Sequence, residues 1–330
     1  MTYTAIPPKS SALPTLRSVA ESAALIIVIY VIMAVIYAWV QPSALSHYSI
    51  ESLFNNSLPL MLAAAGATFV ILQGGFDLSV AGVVSLSNVI VAVWPMEGSG
   101  GAVVNLGMVL VIGLAVGAIN GFLVAYLRIQ AIAATLATMI ICQGVALLIL
   151  KAPGGYVSDF MVYELTQSIA GVIPVALAIA ALIMVFWSIY RRTNSGRALL
   201  AVGQDEHAAA LSGIDVAHTR FFSFLWAGAF YALAGYMLAA QTSTGNPNAG
   251  DSFLLLTFAA VALGGTSFAG GRGGVTASLF GAATLMLMQK LLFAVGVSSF
   301  YTGVIQGAIM ILAVLFSVGV NAIVERRSAN

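Results

Sequence analysis

The chain reads RRTNSGRALLAVGQDEHAAALSGIDVAHTR from Arg191 to Arg220, a polar segment with long apolar runs on both sides. We call this segment the polar island. Nothing else between Val19 and Val320 is so polar for so long, and water must reach it because buried charges are costly. Its helix-forming residues between Gly196 and Gly213 predict a short helix that offers a surface to another protein. The apolar contacts of that helix would come from Leu199, Leu200, Val202 and Leu211.

The composition of the chain is that of an integral membrane protein. Of its 330 residues, 61% are hydrophobic and 7% are charged, whereas an ordinary soluble domain has about 25% charged residues. The net charge of +1 provides no attraction to nucleic acid, and no nucleic-acid-binding motif is present. The single cysteine, Cys142, lies in an apolar segment, so an intrachain disulfide is excluded.

The apolar runs predict an all-α polytopic protein with about ten transmembrane helices. A spanning helix needs about 20 predominantly apolar residues. Segments of that kind occur at residues 21–40, 53–72, 78–94, 103–127, 129–150, 169–190, 221–240, 253–269, 275–295 and 300–320. The third and eighth are the weakest, being short or rich in glycine.

The positions of the basic residues predict that both termini are cytoplasmic. Lys and Arg near span ends remain on the cytoplasmic side, and with the N-terminus inside all of them except Lys151 and Lys290 fall there. Residues 1–18 are then a retained cytoplasmic leader and not a signal peptide. Residues 19–320 form the transmembrane domain, with residues 191–220 as its main inner loop, and residues 321–330 form a cytoplasmic tail.

Two glycine-rich junctions occupy comparable places on the predicted inner side. They are GGFDLS at Gly74–Ser79 and GGTSFAGGRGG at Gly264–Gly274. Each follows one apolar run and precedes another, which hints at two five-span halves of the kind found in many transporters. The second junction lacks the lysine and hydroxyl pair of a phosphate-binding loop, so it is interpreted as a tight turn with close helix packing.

No energy source for active transport is visible within the chain. It has no nucleotide-binding loop, and intramembrane charge, the usual mark of ion coupling, is almost absent. Lys290, beside Gln289, is the clear exception and could equally snorkel to the interface. There is no catalytic or metal-binding set of residues in the spans, so an enzyme is not indicated. Energy must come from a partner, or transport is passive.

Neutral polar residues within the spans are candidates for lining a path for a hydroxyl-bearing solute. Hydrogen bonding between helices explains each of them equally well. Asp77 lies at a helix start, where it can cap the helix or contact substrate. The neutral polar candidates are Asn88, Asn120, Thr135, Thr138, Gln143, Thr257, Thr284 and Gln306, and Phe76 and Asp77 are further candidates for the path.

Four spaced motifs resemble the permease subunits of ribose-type ABC sugar importers. These motifs are GGFDLSV at Gly74–Val80, INGFLVAYLRIQAIAATLAT at Ile119–Thr138, GRALLAVGQDEHAAALSGI at Gly196–Ile214 and LGGTSFAGGRG at Leu263–Gly273. They cover most of the chain in the expected order. The resemblance implies a bacterial inner-membrane protein that pairs with a second permease subunit, identical or not.

The resemblance also implies two cytoplasmic ATPase subunits, which bind ATP and Mg²⁺, and a periplasmic sugar-binding protein. This chain itself would bind no cofactor. The coupling helix would lie at Gly196–Gly213, where a family pattern of Glu-Ala-Ala, three residues and Gly is matched by His207, Ala208, Ala209 and Gly213. His207 replaces the usual Glu, and Glu206 lies one place early. The implied coupling residues are Gly196, Arg197, Gly203, Asp205, Glu206, His207, Ala208, Ala209 and Gly213.

The leading function is the permease of an ATP-driven importer for a monosaccharide or related polyol. Its chief rival is a secondary transporter or facilitator that works alone on small polar solutes. A third class, an intramembrane enzyme or a purely structural assembly protein, would require a catalytic set of residues that is not found, or no solute path. The sequence identifies neither the sugar nor the dimer partner.

Overall fold

The computed structural model of the protein describes residues 16–298 together with residues 301, 303, 304, 307 and 308. Before the polar island the helices are α1 (Leu16–Val40), α2 (His47–Leu72), α3 (Val80–Val93), α4 (Gly98–Ala125), α5 (Ala131–Ile149), α6 (Asp159–Thr166) and α7 (Val175–Tyr190). A short 3₁₀ helix, Pro42–Leu45, links α1 to α2. The island and the remaining chain contain α8 (Asn194–Gln204), α9 (Glu206–Leu211), α10 (Val216–Thr242), α11 (Asp251–Leu263) and α12 (Val275–Ala294).

Helices account for the first nine predicted spans, although several boundaries differ. Five helices of the described part, α2, α4, α5, α10 and α12, are long and apolar enough to cross a membrane. The helix predicted at residues 169–190 begins only at Val175, because Ala170 and Gly171 have positive φ angles and turn the chain into a hairpin of β1 (Ser168–Ile169) and β2 (Ile173–Pro174). Most of the tenth segment, 300–320, lies outside the described residues.

The centre of the bundle is formed by α2. Every residue from Ser57 to Leu72 is buried, and α2 contacts α7, α10, α11 and α12. A helix that is apolar on all sides is stable only when other helices surround it. Helix α3, whose residues Val80–Ala92 are all buried, packs beside it against α4, α5, α10 and α11. The polar island lies at the end of the bundle where α2 ends, which we call the island end; the opposite end is the far end.

Residues 245–250 fold back along α3, antiparallel to it, from the far end toward the island end. Gly245 is paired with Gly154 and lies against Ala92 near the end of α3. Further on, the Asn246 N–H donates to Asn88 Oδ1 at 2.6 Å and the Gly250 N–H donates to Ser85 Oγ at 2.9 Å. Helix α11 consequently starts inside the bundle, and both α3 and α11 are shorter than a full span.

Candidate functional site

The polar island folds into two helices where the sequence predicted one. Thr193 caps α8 by accepting from the Gly196 N–H at 3.2 Å. Asp205 then adopts an extended conformation, φ −158°, and caps α9 by accepting from the Ala208 N–H at 2.9 Å. Side-chain caps of this kind satisfy free N–H groups at a helix start. The break at Asp205 therefore separates α8 from α9, and α8 is bent by 80° from α7.

Helix α9 is the exposed part of the island. Its single buried residue is Ala209, and Leu211 is 79% exposed although it is apolar. Ala208 and Ala210 are also exposed, so α9 presents a ridge of small and apolar side chains to the surroundings. Glu206 accepts from Arg220 at 2.6 Å, which ties α9 to the first turns of α10.

The remaining implied coupling residues divide between exposed and buried positions. Arg197, Asp205 and His207 are exposed, whereas Gly196 is buried against the end of α7. Gly213 has φ +83° and ends the turn that follows α9. No atom would lie within 4 Å of a Cβ atom added at this position. The surface available to a partner at the island end therefore comes from α9 and the polar residues beside it. It does not include all nine of the coupling residues that the family resemblance implies.

Helix α8 contacts the transmembrane bundle at Gly203. A Cβ atom at this position would lie 1.8 Å from the Leu72 carbonyl oxygen and 2.5 Å from the Gly271 nitrogen. The Gly271 N–H donates to the Leu72 carbonyl at 2.8 Å, and Gln204 Nε2 donates to the Gly271 carbonyl at 3.3 Å. Three backbone segments therefore meet here: the end of α8, the end of α2 and the second glycine-rich junction.

The two glycine-rich junctions, which the sequence placed at comparable positions, contact each other. Gly270 lies against Gly74. The rings of Phe76 and Phe268 stack at 5.7 Å, and Phe76 also contacts Phe258 of α11 at 5.9 Å. The end of α8 and both junctions are therefore in direct contact at this end of the bundle.

Four of the predicted path residues lie in one buried hydrogen-bond network. Ser79 Oγ donates to Asp77 Oδ1 at 2.6 Å and accepts from Asn120 Nδ2 at 3.1 Å. Thr138 Oγ1 donates to Asn120 Oδ1 at 2.8 Å, and Thr135 Oγ1 accepts from the Leu78 N–H at 3.0 Å. The network joins the start of α3 to α4 and α5, and the second carboxylate oxygen of Asp77 has no hydrogen-bond partner among the described residues.

The other predicted path residues lie elsewhere. Asn88 holds the chain segment that folds back along α3, and Gln143 donates to Asp251 Oδ1 at 2.6 Å. Thr257 is buried in α11, and Thr284 bonds its own helix at the Phe280 carbonyl. Gln306 lies outside the described residues. Lys290 donates to Ser52 Oγ at 2.8 Å, so its ammonium group is held within the bundle.

Two polar residues of these clusters were not among the predicted path residues. Ser79 belongs to the quoted GGFDLS motif, but its contact with Asn120 of α4 joins residues 41 apart in sequence and depends on the packing of α3 against α4. The predicted spans 221–240 and 253–269 leave Asp251 in the outer loop between them, in the polar stretch QTSTGNPNAGDS at Gln241–Ser252. Only the backbone path along α3 reveals that this carboxylate lies deeper. Within the described residues, no three His, Cys, Asp or Glu side chains are arranged to hold a metal ion.

Comparison with known proteins gives a consistent result over most of the chain. Residues 49–314 match the model of the family described as branched-chain amino acid transport system / permease component. The ribose import permease protein RbsC of Bacillus subtilis strain 168 is 34% identical over 292 residues, 86% of this chain and 89% of that protein.

Two relatives from Escherichia coli strain K12 agree with that match. Its ribose import permease protein RbsC is 32% identical over 86% of this chain and 90% of its own length. Its L-arabinose transport system permease protein AraH is 34% identical over 77% of this chain and 78% of its own length. No solved structure matches the chain.

Proposed function

The chain belongs to the family of branched-chain amino acid transport system / permease components, and we propose that it is the permease subunit of an ATP-binding cassette importer for a monosaccharide or related polyol. The observation that carries the proposal is the similarity to ribose and arabinose permeases over 78–90% of their length. The family consists of transport components, so the chain is not an enzyme. The family description names branched-chain amino acids, but the relatives above are named for sugars, which favours a sugar.

In this proposal the chain crosses the inner membrane ten times, with both termini and the island end in the cytoplasm. Five long apolar helices and three shorter ones, together with α7, provide nine of these spans, and residues 300–320 provide the tenth. The distribution of Arg residues supports the orientation, because the island carries four of them at one end of the bundle. The far end then faces the periplasm.

We place the ATPase contact on α9. Its exposed ridge, Ala208 and Leu211, offers an apolar surface that would otherwise be unfavourable in water. The polar residues Arg197, Asp205, Glu206 and His207 would form the rim of the contact. Displacement of α9 would reach the bundle through α8. At Gly203 the backbone of α8 packs directly against the Leu72 carbonyl at the end of α2, so the two helices would move together.

The same contact supplies a route from ATP hydrolysis to the solute path. The end of α2 leads through the first glycine-rich junction to Asp77 and Ser79, and their network reaches α4 and α5. A shift of the first glycine-rich junction would change how α3, α4 and α5 pack against one another. The partners implied are a second permease subunit, two ATPase subunits that bind ATP and Mg²⁺, and a periplasmic binding protein that delivers the sugar.

Substitution on α9 tests the proposed contact with the ATPase. The chain would be co-expressed with a candidate partner ATPase and binding protein and purified by a tag on the permease. Ala208→Trp places a bulky side chain on an exposed position of α9, so we expect loss of the ATPase from the complex with normal insertion of the permease. Ala209 is unsuitable because it is buried and its substitution would disturb α9 itself.

Gln130→Trp is the matched control, since Gln130 is exposed in the short turn between α4 and α5, outside the island. It should leave the ATPase bound. Equal recovery of the ATPase with Ala208→Trp and with the unsubstituted chain would contradict the contact. If the chain takes up sugar in liposomes without any ATPase, the stand-alone facilitator is the correct function.

A further inference from the structure

Asp251 and Gln143 form a hydrogen-bonded pair at a depth where lipid would surround an exposed side chain. Gln143 is the thirteenth of the 19 residues of α5, and at 1.5 Å per residue it lies about 9 Å from the far end of that helix. Lys151, two residues beyond α5, marks the edge of the apolar region. Gln143 donates to Asp251 at 2.6 Å, so the carboxylate lies at a similar depth.

The packing of α3 also places this segment inside the bundle, at a greater depth than the position of Gln143 in α5 gives. Gly250, the residue before Asp251, packs closely against the first turn of α3. A Cβ atom added to Gly250 would lie 1.9 Å from the Ala81 carbonyl oxygen. The Gly250 N–H donates to Ser85 Oγ, eight residues before the end of α3 at Val93. The neighbouring residue Gly82 lies against Met139 and Cys142 of α5. Asp251 is thus placed well inside the bundle's far end by two different helices.

Asp251 is nevertheless exposed at the protein surface, as are Asn248 and Ser252 beside it. An exposed carboxylate is incompatible with hydrocarbon, and its short side chain cannot snorkel to the interface as that of Lys or Arg does. Intramembrane carboxylates instead face a water-filled cavity or a bundle interior. A carboxylate at this depth therefore requires water or polar groups around it, although Ile140 and Leu147 on the same face of α5 are exposed apolar residues.

We propose that Asp251 and Gln143 form a polar contact site for the transported solute in the far half of the translocation path. The site rests on the proposed function and names residues within it. Its chemistry suits a neutral polyhydroxylated solute, because the carboxylate accepts from hydroxyl groups in charge-assisted hydrogen bonds and the amide can donate to them. Nearby Asn248 and Ser252 add further neutral hydrogen-bonding groups.

Cysteine accessibility tests the aqueous exposure of this face. In a chain that carries Cys142→Ala, which removes its single cysteine, Asp251→Cys is compared with Leu182→Cys. Leu182 is 70% exposed on α7 and lies seven residues from its far end, about 10 Å deep. A charged, membrane-impermeant methanethiosulfonate should modify the thiol of Asp251→Cys and leave that of Leu182→Cys unmodified. No modification of Asp251→Cys, or equal modification of both, would overturn the proposal.

A transport assay tests whether Asp251 contacts the solute. It also distinguishes failure of this site from failure of the proposed importer function. In proteoliposomes with the ATPase and loaded binding protein, Asp251→Asn should lower maximal sugar uptake by about tenfold, the factor typical of losing a hydrogen bond to a charged group. The ATPase should still co-purify. Unchanged uptake with Asp251→Asn would refute the site and leave the importer intact. If Asp251→Cys is modified but uptake never depends on ATP, the importer fails while the aqueous path remains.

Discussion

At the scale of single residues, Gly203 has the strictest steric requirement that links the island to the bundle. The sequence placed it among the coupling residues only through the family resemblance. Its physical role is visible in the structure, because the Leu72 carbonyl oxygen and the Gly271 nitrogen occupy the space that any side chain would need. A glycine in a polar, helical segment gives no sign of what lies against it, so this contact could not be predicted from the sequence.

Gly203→Ala should therefore destabilise the purified protein. We expect a loss of about 1–3 kcal/mol, the usual cost of adding a methyl group to a closely packed site. The midpoint of thermal aggregation in detergent, followed by size-exclusion chromatography, measures the change. Gly144→Ala is the matched control because nothing lies within 4 Å of a Cβ atom at that position of α5. Equal midpoints for the two variants would contradict the contact at Gly203.

Asp77 illustrates how far residue chemistry alone can be interpreted. Its position near a helix start predicted a cap or a substrate contact. Asp77 Oδ1 accepts from the Ser79 N–H at 2.9 Å in the turn before α3, but the N-cap residue of α3 is Ser79, whose side chain makes no capping hydrogen bond. The same oxygen also accepts from Ser79 Oγ, which continues the network to Asn120. The contact between Asp77 and Ser79 is local to the motif, whereas the partners on α4 and α5 depend on tertiary packing.

At the scale of elements, the helix predicted within the island is divided by Asp205. Between Gly196 and Gly213 most residues favour a helix. The segment contains no proline, and Gly203 is the one interior residue that disfavours a helix strongly. The signal that could have been used is the capping chemistry of Asp205 itself, which accepts from Ala208 N–H and starts a new helix. A polar residue within a helical pattern is equally common on a solvated face, so the sequence leaves this choice open.

Asp205→Ala should weaken α9 as a docking element without affecting membrane insertion. Removing an N-cap side chain costs about 1 kcal/mol of helix stability, and α9 has only six residues in which to compensate. We expect weaker retention of the ATPase on the purified permease, measured by its dissociation rate. Asp205→Asn preserves the capping oxygen and should restore retention. Equal retention by Asp205→Ala and the unsubstituted chain would show that the cap has no role in docking.

The lengths of α3 and α11 show another limit of sequence patterns. Both were identified as the weakest spans, and both are short in the structure. The pattern could not reveal why, because the reason is the path of residues 245–250 along α3. Hydropathy placed Asp251 in an outer loop, and only this fold-back brings it beside Gln143 within the bundle.

At the scale of the whole molecule, apolar composition and the position of one polar segment were sufficient to predict a helical membrane protein with an accessible island. The five long apolar helices and the family match agree with that prediction. Charged residues within the spans are few, and in the proposed function the force for transport enters through a partner protein. In that proposal α9 is the point of entry and Gly203 connects it to α2.

The most direct test of this account is uptake of radiolabelled sugar by proteoliposomes. D-Ribose, L-arabinose and, as a test of the family description, L-leucine would be supplied with the corresponding binding protein. We predict that uptake of a sugar against its gradient requires ATP and the partner ATPase, and that the permease alone transports nothing. Equilibration of the same sugar by the permease alone, with no effect of ATP or the ATPase, would contradict the account.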